Sequence, residues 1–253
     1  MDEKKRQKHL QIMEIQTWEV RKSEQIKGAD MATHKRKKAV EEEVKQPAKA
    51  TSKKAVTLNQ EKPIAELTWK ELEEQVANCT RCDLYKTRTQ TVFGVGNRQA
   101  DLLIIGEAPG SNEDKQGEPF VGRAGKLLNS MLHAINLSRE EIFIANILKS
   151  RPPNNRDPKP EEVAACTPFL LRQITLLKPK LILAVGRIAA QFLLNTTEAM
   201  GKLRGQEFTY GPYHTPLLVT YHPAYLLRAP REKRKSWDDL QLVVKRLEQL
   251  SHK

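Results

Sequence analysis

The chain has 253 residues, 39% of them hydrophobic and 29% charged, with 43 Lys and Arg against 31 Asp and Glu. This length allows one large domain or two small ones. The net charge of +12 indicates either a nucleic-acid partner, which is the default interpretation, or a merely soluble basic protein. Three cysteines argue against a disulfide framework, and no signal segment or membrane span is visible, so we expect a reducing cytoplasm.

Residues 1–62 are predicted to form a basic, disordered extension ahead of a single domain at 63–253. They hold 16 Lys and Arg against 10 Asp and Glu, and their one aromatic residue is Trp18. Residues 35–62, rich in Lys, Glu, Ala and Thr, cannot bury enough surface to order themselves, whereas residues 7–27 are compatible with a charged helix. The extension is interpreted as a solubilising tail or as a basic arm that holds DNA nonspecifically. A start of translation at Met31 is a third interpretation.

Helices and strands are predicted to alternate from Leu67 onwards. Thr68 and Glu71 have capping-box spacing, and the apolar positions after them predict a helix that ends near Asn78. Four apolar runs predict strands, at residues 101–105, 142–148, 181–186 and 217–221. Further helices are predicted at residues 124–135, 160–177, 187–194 and 236–250.

This alternation predicts a three-layer α/β/α sandwich with a central four-stranded, mainly parallel sheet. The strands are continuous apolar runs, as expected when helices cover both faces of a sheet. Ligands in such folds bind beyond the carboxyl ends of the strands. Unusual residues stand at three of these ends, namely Gly106 with its loop, Asn146, and His222.

A glycine-rich loop, residues 106–125, follows the first predicted strand. Glycine lets a backbone approach a ligand closely. The loop is neither a GxGxxG dinucleotide loop nor a P-loop, so no nucleotide cofactor is expected. Phe120 stands between prolyl and glycyl turns and is interpreted either as a core residue or as a platform for a planar ligand.

Asn146 and His222 each have a structural and a functional interpretation. A carboxamide among apolar strand residues needs hydrogen-bond partners, either from the nearby backbone or from a ligand edge that it reads. His222 directly follows the fourth predicted strand, so it is either structural or part of the same site. The stiff, basic loop at residues 149–157 suits phosphates, and Arg228 begins a second basic stretch.

Three segments resemble family 4 of the uracil-DNA glycosylase superfamily, the iron–sulfur type: GEAPGSNEDKQGEPFVGRAGKLL, NILKSRPPNNRDPKPEEVAACTPFL and HPAYLLR. Their order and spacing match the family, and the resemblance covers residues 67–250. It implies a hydrolase of base excision repair, which flips uracil out of single- or double-stranded DNA and cleaves its N-glycosidic bond, leaving an abasic site. A monomer is expected.

The resemblance implies a role for each pocket residue. Phe120 would stack on uracil, and Asn146 would bind its Watson–Crick edge and so reject cytosine. His222 would donate a hydrogen bond to the uracil O2 as negative charge builds there. The remaining base-binding groups would be backbone N–H groups of the first loop, at Gly106, Glu107 and Ala108.

Further residues would position the water and the DNA. The candidates for the attacking water are Glu107, Glu113 and Asp114, which the sequence does not rank. A wedge residue would fill the gap left by the flipped base, and the candidates are Leu226 and Leu227. Basic residues would hold the DNA backbone, namely Arg151, Arg156 and Arg228. A non-catalytic DNA-binding protein and a hydrolase of hypoxanthine or xanthine are the competing hypotheses.

Cys79 and Cys82 form a CxxC pair, which by itself indicates either a redox pair or a metal site. Family members hold a [4Fe–4S] cluster with four cysteines, of which Cys79, Cys82 and Cys166 are present here, while Ser150 stands at the remaining position. A serine oxygen is a harder ligand than a thiolate. We predict a [4Fe–4S] cluster whose fourth ligand is Ser150 or a group from outside the chain. The alternatives are a three-iron or labile cluster and no cluster at all.

Overall fold

The computed structural model describes residues 62–251 of the chain. The predicted N-terminal extension lies outside the described residues except for Lys62, and so does the alternative start at Met31. Among residues 62–251, no helix has both the length and the apolar character needed to cross a membrane.

Within residues 62–251, six strands form one sheet, with these bounds: β1 Val95–Gly96, β2 Leu102–Gly106, β3 Phe143–Asn146, β4 Leu181–Val185, β5 Phe208–Tyr210 and β6 Thr215–Thr220. Eight α-helices are found in the described part of the chain: α1 Trp69–Ala77, α2 Ser111–Gln116, α3 Arg123–Ala134, α4 Pro160–Leu177, α5 Arg187–Leu194, α6 Met200–Leu203, α7 Pro223–Arg228 and α8 Lys233–Ser251.

The strand order is β1-β3-β2-β4-β6-β5. The four middle strands are parallel to one another, and the two edge strands pair antiparallel with their neighbours. The predicted four-stranded parallel sheet is therefore confirmed as the centre of a larger sheet. β1 and β5 were not predicted, because strands of two and three residues are too short to show a periodic pattern.

Side chains of the central strands alternate between two hydrophobic cores. Leu103 and Ile105 face a core that is closed by α1, α4 and α5, whereas Leu102 and Ile104 face a core closed by α3 and α8. Each such fully buried side chain stabilises the fold by about 1.5–3 kcal/mol. The two cores confirm the predicted three-layer α/β/α sandwich.

Local signals predicted the longer helices well. Thr68 and Glu71 form the predicted capping box, with the Thr68 backbone N–H donating to Glu71 Oε2 at 2.8 Å. Two six-residue helices, α2 and α7, were missed because they lie in segments rich in Gly and Pro. Pro223 occupies the first position of α7, where its missing N–H is tolerated, and His222 is the N-cap.

Candidate functional site

A cavity of about 780 Å³ opens where β2, β3, β4 and β6 end. Its walls come from the loop after β2, the last residue of β3, the turn into α5 and the start of α7. The structure brings together most of the residues predicted from the sequence, and those that line the cavity are Glu107, Ala108, Glu113, Phe120, Asn146, Arg156, His222 and Arg228. Gly106, Arg151 and Leu226 are not in the lining.

Phe120 is held in an unusual backbone conformation at the cavity wall. Its φ is 55°, in the left-handed region that non-glycine residues rarely adopt. Arg139 donates from Nη1 to Phe120 O at 3.2 Å and from Nη2 to Pro119 O at 2.7 Å. At Gly125, a Cβ atom would lie 1.8 Å from Phe120 O. These contacts fix the ring, which is 5.5 Å from the His222 ring and inclined to it by 30°.

Asn146 presents a buried amide oxygen without a partner. Its side chain is 2% exposed, and Oδ1 accepts no hydrogen bond from any residue of 62–251. An unsatisfied buried acceptor costs about 1–3 kcal/mol, so such exceptions indicate a binding role. A Cβ atom at Gly106 would lie 2.5 Å from this oxygen and 2.8 Å from Phe120 Cζ. Gly106 therefore provides the space that lets Asn146 and Phe120 meet.

His222 is oriented as a neutral hydrogen-bond donor. Its Nδ1 accepts from the Ala224 backbone N–H at 3.1 Å, so a neutral ring carries its proton on Nε2. Burial, aided by the positive charge of Arg228, lowers the pKa of His222 to about 4. The imidazole is therefore uncharged at neutral pH, with Nε2–H as its donor. At Gly186, a Cβ atom would lie 2.9 Å from His222 Cβ, so this glycine admits the ring.

Glu107 is a cavity carboxyl group with a strongly raised pKa. Burial and the nearby charge of Asp157 raise the pKa of Glu107 to about 7, against the opposing effect of Arg187. Asp157 and Arg187 form an exposed ion pair at 3.0 Å beside it. A carboxyl group poised near neutral pH can accept a proton and is a candidate general base.

Glu113 and Asp114 have structural partners instead. Glu113 Oε1 accepts from the Val121 and Gly122 backbone N–H groups at 2.9 Å and 3.0 Å, which braces the turn that carries Phe120. Asp114 is 3% exposed and accepts from the Thr89 N–H at 3.0 Å. Asp114 is absent from the cavity lining, so its interpretation as a water-positioning residue is corrected: it ties α2 to an earlier segment.

The basic residues predicted to hold DNA differ in their surroundings. Arg228 is exposed at the cavity, where a phosphate can reach it. Arg156 lines the cavity but also donates from Nη1 to Glu162 Oε2 at 2.9 Å. Arg151 lies outside the lining, is half-buried and donates from Nε to Asn155 Oδ1 at 2.8 Å.

The interpretation of Leu226 as a wedge into DNA is corrected. Leu226 is fully buried in the core closed by α3 and α8, and Leu227 packs partly against the same core. Leu226 lies on the face of α7 that points into this core, and His222 is the N-cap of the helix. Tyr225 is the exposed ring on this helix; it lines the cavity and lies 5.0 Å from the Tyr221 ring. Its amphipathic side chain was the signal that could have identified it.

The three cysteines lie against the core closed by α1, α4 and α5. A hydrogen bond from Cys166 lowers the pKa of Cys82 to about 6 and raises the pKa of Cys166. Ser150 is 3% exposed, and its Oγ accepts from Arg88 Nη1 at 3.0 Å. Arg88 was not predicted, since nothing local distinguishes it from a solvated arginine.

No group of three or more His, Cys, Asp or Glu in residues 62–251 is arranged to hold a metal ion. The fourth predicted ligand, Ser150, is a neutral hydroxyl that already accepts a hydrogen bond from a cation. This donor set does not fit the four-thiolate site that the resemblance implies.

The chain is similar to known proteins of one superfamily over more than half of its length. A model of the uracil DNA glycosylase superfamily matches residues 93–241. A type-4 uracil-DNA glycosylase of Archaeoglobus fulgidus is 41% identical over 68% of this chain and 90% of its own length. The type-4 uracil-DNA glycosylase of Saccharolobus solfataricus is 43% identical over 70% of this chain and 85% of its own length. That of Thermotoga maritima is 44% identical over 62% of this chain and 82% of its own length.

Proposed function

The chain belongs to the uracil DNA glycosylase superfamily, and we propose that its cavity binds a flipped-out deoxyuridine of DNA and hydrolyses its N-glycosidic bond. The protein is a uracil-DNA glycosylase and thus a DNA-repair hydrolase, as its type-4 relatives at 40–44% identity support. The observation that carries the assignment to this cavity is Asn146 Oδ1, which has no hydrogen-bond partner among residues 62–251. It is buried near Phe120, whose ring lies against the neutral His222.

Asn146 and Phe120 account for recognition of the base. Uracil presents an N3–H donor and an O4 acceptor, which match the oxygen and the NH₂ group of a carboxamide. Cytosine presents an acceptor and a donor in these places, so it would leave both Asn146 groups unpaired, which is costly in a dry pocket. The ring of Phe120 offers the flat surface on which a flipped base stacks.

His222 and the first loop account for stabilisation of the leaving group. As the C–N bond breaks, negative charge collects on the uracil, and the Nε2–H of a neutral His222 can donate to O2. The backbone N–H groups at Glu107 and Ala108 would donate to the same base. A donor that is already oriented needs no reorganisation during the reaction, and each such donor contributes about 3–4 kcal/mol.

Glu107 is the proposed general base for the attacking water. It lines the cavity, and its raised pKa lets it take a proton near neutral pH. Glu113 is a positioning residue, because its Oε1 holds the turn before α3.

We predict that base release in single turnovers rises with pH and levels off above about pH 7, because Glu107 must be ionised to accept the proton. Glu107→Gln should lower the plateau rate by about 10²–10⁴-fold and remove the rising limb. Glu118, an exposed residue of the same glycine-rich loop, supplies the control. Glu118→Gln should keep both the plateau rate and the rising limb. A Glu107→Gln profile that still rises through pH 7 would assign the limb to another group.

Alkali cleavage of a uracil-containing oligonucleotide tests the activity and its location together. The protein should produce strand breaks at uracil alone, and the Phe120→Ala variant should not. DNA binding without base release would favour the non-catalytic hypothesis. Release of hypoxanthine or xanthine in preference to uracil would favour the related base hydrolase.

Tyr225 is the proposed DNA contact in place of Leu226, with Arg228 beside it for a phosphate. Tyr225→Ala should weaken binding to uracil-containing duplex about tenfold, since stacking on one base contributes about 1–3 kcal/mol. Tyr225→Phe should retain binding, and Tyr213→Ala, at another exposed tyrosine, should have no effect. A larger loss in Leu227→Ala than in Tyr225→Ala would make Leu227 the wedge.

No step of this proposal uses an iron–sulfur cluster, because Ser150 stands in place of one of the four thiolates that hold such a cluster and already accepts a hydrogen bond from Arg88. Arg151 and Arg156 stay proposed DNA contacts. The monomeric state, the cytoplasmic location and the use of both single- and double-stranded DNA stay predictions.

A further inference from the structure

The cysteine lobe, defined here as residues 77–88 together with residues 149–173, contains all four positions at which the type-4 resemblance implies cluster ligands. Its polar side chains bind one another. We infer that the lobe is held by a protein-only clasp, the hydrogen bond between the Arg88 guanidinium and the Ser150 hydroxyl, and that this glycosylase folds without an iron–sulfur cluster.

The clasp joins two of the three segments that a cluster would join. Arg88 Nη1 donates to Ser150 Oγ at 3.0 Å across 62 residues of sequence, and Nη2 reaches Ala77 O, at the end of α1, at 3.5 Å. One guanidinium therefore links the helix before Cys79 to the loop after β3. Ser150 is 3% exposed, so water competes little for this bond.

The clasp and a cluster would compete for the same oxygen. To ligate iron, Ser150 Oγ would have to lose its proton and direct a lone pair at a metal cation. That oxygen already accepts from the positively charged Arg88. Iron–sulfur clusters select soft thiolates, and a serine oxygen is a hard ligand. A second cation on this oxygen is therefore disfavoured.

A second contact anchors the same loop from within the fold. The fully buried Lys149 donates from Nζ to Asn146 O at 2.8 Å and to Gln173 Oε1 at 2.6 Å. Gln173 in turn donates from Nε2 to Phe93 O at 2.9 Å. Lys149 thus ties the segment between Asn146 and Ser150 to Gln173 of α4, and Gln173 is itself bound to Phe93. The backbone carbonyl of Asn146 is thus held by a hydrogen bond that involves no metal.

The experiment measures iron directly. The full-length protein is produced with ample iron and purified without oxygen, and iron and acid-labile sulfide are counted per chain while the visible absorption of a cluster is recorded. We expect far less than one iron per chain and no cluster band. Stoichiometric iron with sulfide and the band would overturn the inference.

Unfolding of variants tests the clasp itself. Arg88→Met, which keeps the length of the side chain without its donors, should lower the thermal midpoint by about 3–10 °C, because it leaves the buried hydroxyl unpaired. Lys70→Met, at an exposed lysine of α1, is the control and should leave the midpoint unchanged. Equal midpoints for both variants would refute the clasp. Neither readout depends on glycosylase activity, so the proposed function is tested separately.

Discussion

Replacing His222 with asparagine is expected to slow uracil release by about 10²–10³-fold, the effect of removing one oriented donor from a developing anion. Asparagine is chosen because its side-chain oxygen can still accept the Ala224 N–H, as the Nδ1 of His222 does at 3.1 Å. The variant thus retains the N-cap of α7 but has no donor at the Nε2 position. Single-turnover base release, with affinity for uncleaved DNA measured in parallel, separates catalysis from binding.

The control for this change is His133→Asn, at an exposed histidine in the last turn of α3. It should leave the rate unchanged. A role in the chemical step would be contradicted if His222→Asn and the unmodified protein differed in their affinity for uncleaved DNA but released uracil at equal rates once bound.

The same histidine predicts how stability depends on pH. The pKa of His222 is about 4 in the folded protein against an ordinary value of 6.5. Between about pH 4 and pH 6.5, His222 is therefore protonated in the unfolded chain but not in the folded protein. The free energy of unfolding should fall as pH decreases from about 6.5 to about 4, and this part of the fall should be missing in His222→Asn. Denaturant titrations across that interval measure it.

Replacing Asn146 with leucine is expected to lower uracil release by at least about 10²-fold while making the fold more stable. Leucine has nearly the shape of asparagine but cannot bind the uracil edge. It also removes the buried Oδ1 that has no partner in the described part of the chain, which should raise the free energy of unfolding by about 1–2 kcal/mol. Urea unfolding and the alkali assay measure the two effects on one preparation.

Asn146→Asp completes this test because it keeps the size and one oxygen but loses the NH₂ donor. It should lose uracil release as well, yet gain no stability, since a buried carboxyl group is costly. Retention of activity within about tenfold by Asn146→Leu would show that the amide does not read the base. A loss of stability in Asn146→Leu would show that the Asn146 amide makes a stabilising hydrogen bond within the folded protein.

The parallel centre of the sheet could be predicted because each strand is a continuous apolar run, whose burial depends on composition more than on context. Asn146 and His222 could be singled out because a polar residue at the end of such a run stands at the carboxyl edge of the sheet, whatever the detailed packing. The charge, hydrogen bonds and exposure of these two side chains could not be predicted from their positions in the sequence.

The incorrect interpretations have a common cause. Leu226 and Tyr225 are neighbours in sequence, and only the phase of α7, which His222 caps, turns one into the core and the other towards the cavity. Asp114 resembled Glu113 as a loop carboxylate until the fold placed the Thr89 N–H beside it. For Leu226, one residue's rotation along the helix decides whether the side chain is buried or exposed. For Asp114, one distant backbone N–H decides whether the carboxylate has a structural partner.

The sequence by itself determined the layer order, the strands that carry the site and the chemical types that converge there, because these depend on local periodicity and on the edge at which parallel strands end. The tertiary structure alone decided which groups lack partners and which are satisfied. Arg88 meets Ser150 across 62 residues, and Arg139 fixes the carbonyl of Phe120 across 19. Such contacts have no local signature, since they arise only when packing brings distant segments within hydrogen-bonding distance.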